Sequence, residues 1–376
     1  TQTRILYSAP SPTRMNPDNN QLPRPTDKLT AFLREYFSEA PLLIEPLLGD
    51  ASTRMYFRIR RDGETFIAAV YAEPFDVTTF AYLDVTQLFQ TAGIPVPEVL
   101  AVDGRRGIVL QQDVGDWRLQ DVLLAQPEVA RQVDYDLALH LIVEIQKTTA
   151  LAQARNSIAW RQAFDDEKLF WEMTYFFRNY VERYHQWRLP PEQVAVVLGE
   201  LFALTYRLAR VPRVVCHRDY HARNLMHHAG KLWVIDHQDA RLGPATYDLA
   251  SLLGDPYAAL EEEFQAALKE RFWQLHIAAF GTKYYASRRQ FDHEYQLMLV
   301  QRLLKAIGTY AYQFVVRNNP VYLSYIPIAL RTAARALEGI ADLPAVAHLV
   351  AAAIECEPQP ETRVVALSGA GPPTGS

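Results

Sequence analysis

The segment Val214-Val215-Cys216-His217-Arg218-Asp219-Tyr220-His221-Ala222-Arg223-Asn224 constrains this chain more than any other. An apolar run leads into a charged loop, Asn224 stands five residues after Asp219, and a second apolar run, Leu232 to Ile235, ends at Asp236. A strand, a loop and a return strand arranged this way deliver two carboxylates and one amide to one rim. The H-R-D-x-x-x-x-N spacing followed by a further Asp is what phosphoryl transfer requires. Asp219 would accept or orient a hydroxyl proton. Asn224 and Asp236 would hold Mg2+, which takes oxygen ligands and usually only one or two of them from protein. His217 reads as packing beside the loop and bonding its backbone, and Arg218 as helping to neutralise charge there. Arg223 reads as a solvated loop charge.

The residues before this segment are rich in strand signals. Leu42 to Leu48 is a strand candidate, and Met55 to Arg60 and Thr65 to Tyr71 flank the tight turn Asp62-Gly63. Val99 to Val102 and Gly107 to Gln111 add two more strands. The spacing predicts helices over 27–37 and 78–91, the second stopped by Gly93. After Asp113-Val114-Gly115 the pattern turns helical, with 134–150, 165–186 and 191–208 as helices and nearly everything helical from Tyr247 onward. The reading is an α+β, bilobal fold: a flexible arm over 1–26, a β-rich lobe over 27–111, a large helical lobe over 112–356 and a flexible tail over 357–376.

Composition excludes several other classes. The 376 residues suit two lobes, and hydrophobic and charged fractions of 49% and 22% are ordinary for a globular protein. A formal net charge of −5 argues against a general nucleic-acid surface. No apolar run approaches the ~18 residues that cross a bilayer, and 1–26 lacks a signal-peptide core. Cys216 and Cys356 are the only cysteines, which builds neither a disulfide framework nor a zinc site and favours a reducing cytoplasm. Cys216 reads as a buried, inert thiol. The expectation is a cytoplasmic monomer with a small-molecule partner, no nucleic acid and no membrane.

A nucleotide needs its phosphates cradled. The turn Gly49-Asp50-Ala51-Ser52-Thr53-Arg54 lies between the first strands of the β-rich lobe, where N–H groups and hydroxyls of Ser52 and Thr53 would meet phosphate oxygens. The following strand, Phe66 to Tyr71, carries no Lys, and the helix over 78–91 has no Glu to partner one. Arg54 or Arg58 is the nearest cation to take that place, and Gln111 and Asp113 at the lobe boundary are further nucleotide candidates.

Three stretches carry a family resemblance: Cys216 to Met226, Val234-Ile235-Asp236-His237-Gln238-Asp239-Ala240, and Gly243 to Leu253. Together they resemble the aminoglycoside/choline phosphotransferase superfamily. Within it, Gly49 to Arg58, Trp171-Glu172-Met173 and Gln301-Arg302-Leu303-Leu304-Lys305-Ala306-Ile307-Gly308-Thr309-Tyr310 look like the bacterial cell-wall amino-sugar kinases that act at the anomeric hydroxyl of N-acetylmuramate and N-acetylglucosamine. The resemblance spans about residues 30 to 340. It implies ATP, Mg2+, a sugar bound against the helical lobe, a role in peptidoglycan recycling, and a loop-bracing role for Asp248. His237 departs from the family, where Phe is usual. Arg302 and Lys305, at i,i+3 on one helix, are candidates to meet a sugar carboxylate, and Glu172, Asp239 and Asp255 to accept sugar hydroxyls. Other acceptors of the same fold (an aminoglycoside, choline, another reducing sugar) and a catalytically weak binding module are the alternatives.

Overall fold

The computed structural model describes residues 4–5, 25–38, 43–47, 54–125 and 128–357. Most of the expected arm, the turn over 48–53 with Ser52 and Thr53, and the tail over 358–376 lie outside the described residues. The chain forms two compact units, Thr1–Arg118 with Leu225–Asp239, and Leu119–Asn224 with Ala240–Ser376.

The first unit is built on a six-stranded sheet: β1 (Arg4–Ile5), β2 (Leu43–Leu47), β3 (Met55–Arg61), β4 (Glu64–Val70), β5 (Val99–Asp103) and β6 (Ile108–Gln112), in the order β1-β5-β6-β4-β3-β2. β1 pairs parallel with β5, and the other neighbours are antiparallel. The β3–β4 turn works because Asp62 and Gly63 both take left-handed backbone, with φ of 50° and 84°. That is the twist a two-residue hairpin needs. Side-chain alternation then gives the sheet two apolar faces. Phe57, Ile59, Ala68 and Leu110 pack against Leu29, Phe32 and Leu33 of the helix Pro25–Phe37. Ala69, Val102 and Val109 pack with Tyr82 of the helix Ala81–Thr91. That helix starts later than residue 78 because Asp76 Oδ1 accepts both the N–H and the hydroxyl of Thr78, at 2.9 and 2.8 Å, and fixes a turn there.

The runs 214–216 and 232–235 do not pair with one another. Lys231–Val234 pairs with Leu225–His228, and this hairpin belongs to the first unit, where Val234 N–H donates to the Pro95 carbonyl at 2.8 Å. Arg213–Cys216 instead pairs antiparallel with Arg241–Pro244 in the second unit. Strands Leu225–His228 and Arg241–Pro244 are four residues each, too short for their periodicity to stand out from loop sequence.

Helices dominate the second unit, the longest being Arg288–Val315. The helix expected over 165–186 is α-helical only over Asp166–Phe176 and widens to a π-helix over Phe177–Tyr184. Gly308 of the long helix packs where this change occurs. A Cβ there would lie 2.6 Å from Phe176 Cα and 3.0 Å from Phe176 N. Glycine therefore lets two backbones meet, one turn away from Lys305. No helix among the described residues is long and apolar enough to cross a membrane.

Helix propensity alone favours Gly308→Ala by about 1 kcal/mol. Backbone overlap reverses the sign, and the variant should lose about 1–3 kcal/mol in urea unfolding. A stabilised variant would show that the helices do not need this approach.

Candidate active site

The catalytic-loop segment hangs from one buried carboxylate in the second unit. Asp248, at the start of the helix Tyr247–Leu253, accepts His217 N–H on Oδ2 at 2.7 Å and Arg218 N–H on Oδ1 at 3.0 Å. Burial raises its carboxyl, with the charge of His217 and the two N–H donors opposing. The clamp holds Arg218 in left-handed backbone, φ 87°, a conformation a side-chain-bearing residue keeps only when its surroundings over-determine it. The His217 ring is fully buried against Tyr220, and the Tyr220 hydroxyl donates to the Ala138 carbonyl at 2.8 Å. Cys216 is buried, and burial pushes its thiol up.

With the loop fixed, Asp219 meets three cations. Lys305 Nζ donates to Oδ1 at 3.1 Å, an Arg302 nitrogen lies 3.7 Å from the same oxygen, and Arg218 Nε lies 3.6 Å from Oδ2. Burial alone would raise this carboxyl, but Lys305, Arg218 and Arg302 together hold it well below the usual carboxylate range. Asp219 is thus a stable carboxylate. Lys305 is lowered by its own burial, with Asp219 opposing and Arg302 adding to the fall. Neither basic residue lies on a solvated helix face: Arg302 is 8% exposed, donates to the Tyr247 hydroxyl at 2.8 Å and stacks over that ring. Glu172 is 1% exposed and accepts from Gln301 at 2.8 Å, which places a carboxylate in the same buried polar layer.

Asn224 donates its amide nitrogen to the Asp219 carbonyl at 2.8 Å, so its oxygen remains the acceptor end. Both oxygens of Asp255 go to backbone, Ala222 N–H at 2.9 Å and Tyr257 N–H at 2.9 Å. Its structural part is therefore a brace at the far end of the loop. Arg223 is not a solvated charge: it stacks on Tyr257 at 3.9 Å and donates to Gln120 and to the Tyr325 hydroxyl.

The remaining candidates lie in the first unit. Arg54 pairs with Asp236 Oδ1 at 2.7 Å, and Gln238 donates to the same oxygen at 2.9 Å. Asp236 also takes left-handed backbone, φ 61°. Arg58 is held between Asp113, at 2.7 Å, and Asp116, at 2.8 Å. Gln111 accepts from the Tyr82 hydroxyl at 2.6 Å. His237, in place of the expected aromatic, is fully buried, stacks on Tyr82 and meets the Thr86 hydroxyl at 2.7 Å, so the ring keeps the packing role and adds a polar anchor. Asp239 ends the short turn His237–Asp239. Each of two residues offers an oxygen of the kind a hard divalent ion takes, the Asp236 carboxylate in the first unit and the Asn224 amide in the second. No group of three or more His, Cys, Asp or Glu capable of caging a metal exists among the described residues.

The sequence model of the phosphotransferase enzyme family, APH, matches residues 43–291. The chain belongs to that family, and is an ATP-dependent phosphotransferase acting on a hydroxyl acceptor. Among relatives, a protein of Neisseria meningitidis named N-acetylmuramate/N-acetylglucosamine kinase is 31% identical over 84% of this chain and 92% of its own length. Among solved structures, a Ralstonia eutropha protein assigned as an aminoglycoside phosphotransferase covers 83% of this chain and 98% of its own, at 14% identity and TM-score 0.59. An amicoumacin kinase solved with AMP-PNP and Ca2+ covers 85% and 97%, at 15% identity and TM-score 0.55. These establish a kinase-like α+β fold.

Sequence reasoning missed Glu294. It is buried, accepts from the Tyr285 and Thr246 hydroxyls at 2.8 and 3.1 Å, and thereby anchors the residue that precedes the Asp248 helix. Burial pushes it up to about 7, and pushes Asp255 up to about 6. Both lie above the unfolded range of about 4. The folded state therefore keeps protons that the unfolded state has already released, and stability falls as pH rises from about 4 to about 7. Glu294→Gln keeps the acceptor oxygen without the charge. It should unfold a few degrees above the parent near pH ~8 and lose that advantage below pH ~4, read from thermal midpoints across pH.

Proposed function

We propose that this enzyme phosphorylates the anomeric hydroxyl of a cell-wall amino sugar, N-acetylmuramate or N-acetylglucosamine, giving the sugar 1-phosphate in peptidoglycan recycling. The reading includes Mg2+ as the metal and a monomer working in the cytoplasm. The observation that carries it is the contact between Lys305 and Asp219, with Arg302 behind it. A polycationic aminoglycoside or a choline would be brought against two positive side chains at the very carboxylate that must receive its hydroxyl. An acceptor that is neutral or carries a carboxylate meets no such repulsion. The lactyl carboxylate of muramate would pair with Lys305 or Arg302 through charge-assisted bonds. The name of the Neisseria relative points to the same pair of sugars.

An anomeric hydroxyl is more acidic than an ordinary alcohol, so a carboxylate held at low pKa is strong enough to serve. Asp219 orients the hydroxyl in line with the γ-phosphorus, the new O–P bond forms as the bond to ADP breaks, and the hydroxyl proton leaves by way of Asp219. Positioning and charge neutralisation supply most of the rate. A divalent ion neutralises the phosphates when bound, and Asn224 and Asp236 are the residues that would hold it.

Asp219→Asn should lower kcat by about 10²–10⁴-fold while leaving nucleotide affinity unchanged in calorimetry. Substantial turnover would remove Asp219 from the mechanism. In a panel of reducing amino sugars, aminoglycosides and choline, only the amino sugars should support ADP release. Lys305→Ala should lower kcat/KM for N-acetylmuramate about ten-fold more than for N-acetylglucosamine. Equal losses on the two sugars would sink the carboxylate role.

A further inference from the structure

The strand that carries a phosphate-pairing Lys in other kinases has none here. We propose that Arg54 is the nucleotide-phosphate cation of this chain, and that it is stored on Asp236 until a metal–nucleotide complex displaces it. The proposal rests on the reading of Asp236 as a metal ligand.

All the groups involved lie in the first unit. Arg54 directly precedes Met55, which pairs with Val70 at the end of the strand that lacks the Lys. Its guanidinium lies 5.9 Å from the Tyr56 ring centroid and 5.8 Å from that of Tyr71. Between these rings the cation meets Asp236 Oδ1 at 2.7 Å, with its side chain only 16% exposed. Arg58, the other candidate on β3, already faces two carboxylates, Asp113 and Asp116, at 2.7 and 2.8 Å. Its charge is neutralised within the strand-end cluster, whereas Arg54 pairs with Asp236, the carboxylate that a metal would claim.

The two cations are incompatible on one oxygen. A magnesium ion binds oxygen at ~2.0–2.1 Å, and a guanidinium hydrogen-bonded to that oxygen would face it at full like-charge repulsion. Metal arriving alone therefore competes with Arg54 for Asp236 and brings no anion of its own to take the guanidinium. Metal arriving with a nucleotide brings phosphate oxygens that take the freed guanidinium in bidentate fashion. Arg54 thus makes metal binding and phosphate binding favour one another, and keeps Asp236 paired meanwhile.

The test measures binding, not turnover. Mn2+ alone is titrated by electron paramagnetic resonance, and Mn2+ with AMP-PNP by calorimetry, on the full chain. Arg54→Gln, which keeps a hydrogen bond to Asp236 and removes the charge, should bind Mn2+ alone about ten-fold more tightly and the Mn2+–AMP-PNP complex about ten-fold more weakly. Arg54→Lys should return both toward the parent. Loss of both affinities together, the signature of a merely structural arginine, overturns the proposal, as does no change in either. Asp236→Asn separates the two readings. If it binds Mn2+ as the parent does, Asp236 is not the metal ligand and the underlying assignment fails. If it weakens Mn2+ binding while Arg54→Gln changes nothing, only the role of Arg54 falls.

Discussion

The bidentate grip of Asp248 on the N–H groups of His217 and Arg218 is the interaction from which the rest of the site follows. A buried carboxylate without partners is costly, and a loop backbone without partners is equally so. Each satisfies the other here, and hydrogen bonds to a charged group are worth about 1.5–3 kcal/mol apiece. That is enough to hold Arg218 in a backbone conformation it would otherwise avoid. The conformation in turn sets where Asp219 leaves the chain. Asp255 performs the same service at the other end through Ala222. The loop is thus pinned at both ends by buried carboxylates that bond its backbone, with the partly exposed Asp219 between them.

The charges around Asp219 bear on the reaction proposed for it. A general base for an ordinary alcohol would benefit from a raised pKa. Lys305, Arg218 and Arg302 drive Asp219 the other way. The arrangement favours precise placement of an already acidic hydroxyl over proton abstraction from a weak acid. It also sets positive charge beside Asp219, in keeping with the proposed anionic or neutral sugar.

Local chemistry was legible in the sequence, and long-range chemistry was not. The Asp62-Gly63 hairpin could be read because two adjacent residues tolerate left-handed backbone. The loop from His217 to Asn224 could be read because its spacing is short and its residue types are demanding. Lys305 and Asp219 are 86 positions apart, and nothing in either neighbourhood announces the other. Arg302 and Lys305 can be read as sharing a helix face, yet the approach of this helix to Phe176 at Gly308 shows only in the fold. The π-helix at Phe177–Tyr184 was invisible for a related reason, since an aromatic-rich segment reads as helix whatever its winding. Arg223 looked like a loop charge because its partners, Gln120, Tyr257 and Tyr325, are scattered over the chain.

The hairpin Leu225–His228 and Lys231–Val234, with Asp236 just beyond it, belongs with a unit whose other residues end at Arg118. Synthesis therefore cannot finish the first unit in sequence order. Its sheet can assemble early from neighbouring strands, which form mostly local contacts. The piece that completes it, and that bears the carboxylate paired with Arg54, emerges only after the whole of Leu119–Asn224 has been made. Until then the sheet waits with an unfilled docking surface near Pro95 and Trp117, whose carbonyls accept the N–H groups of Val234 and His227. The completion of the first unit is thus decided late in translation, by a segment that follows directly on the loop from His217 to Asn224.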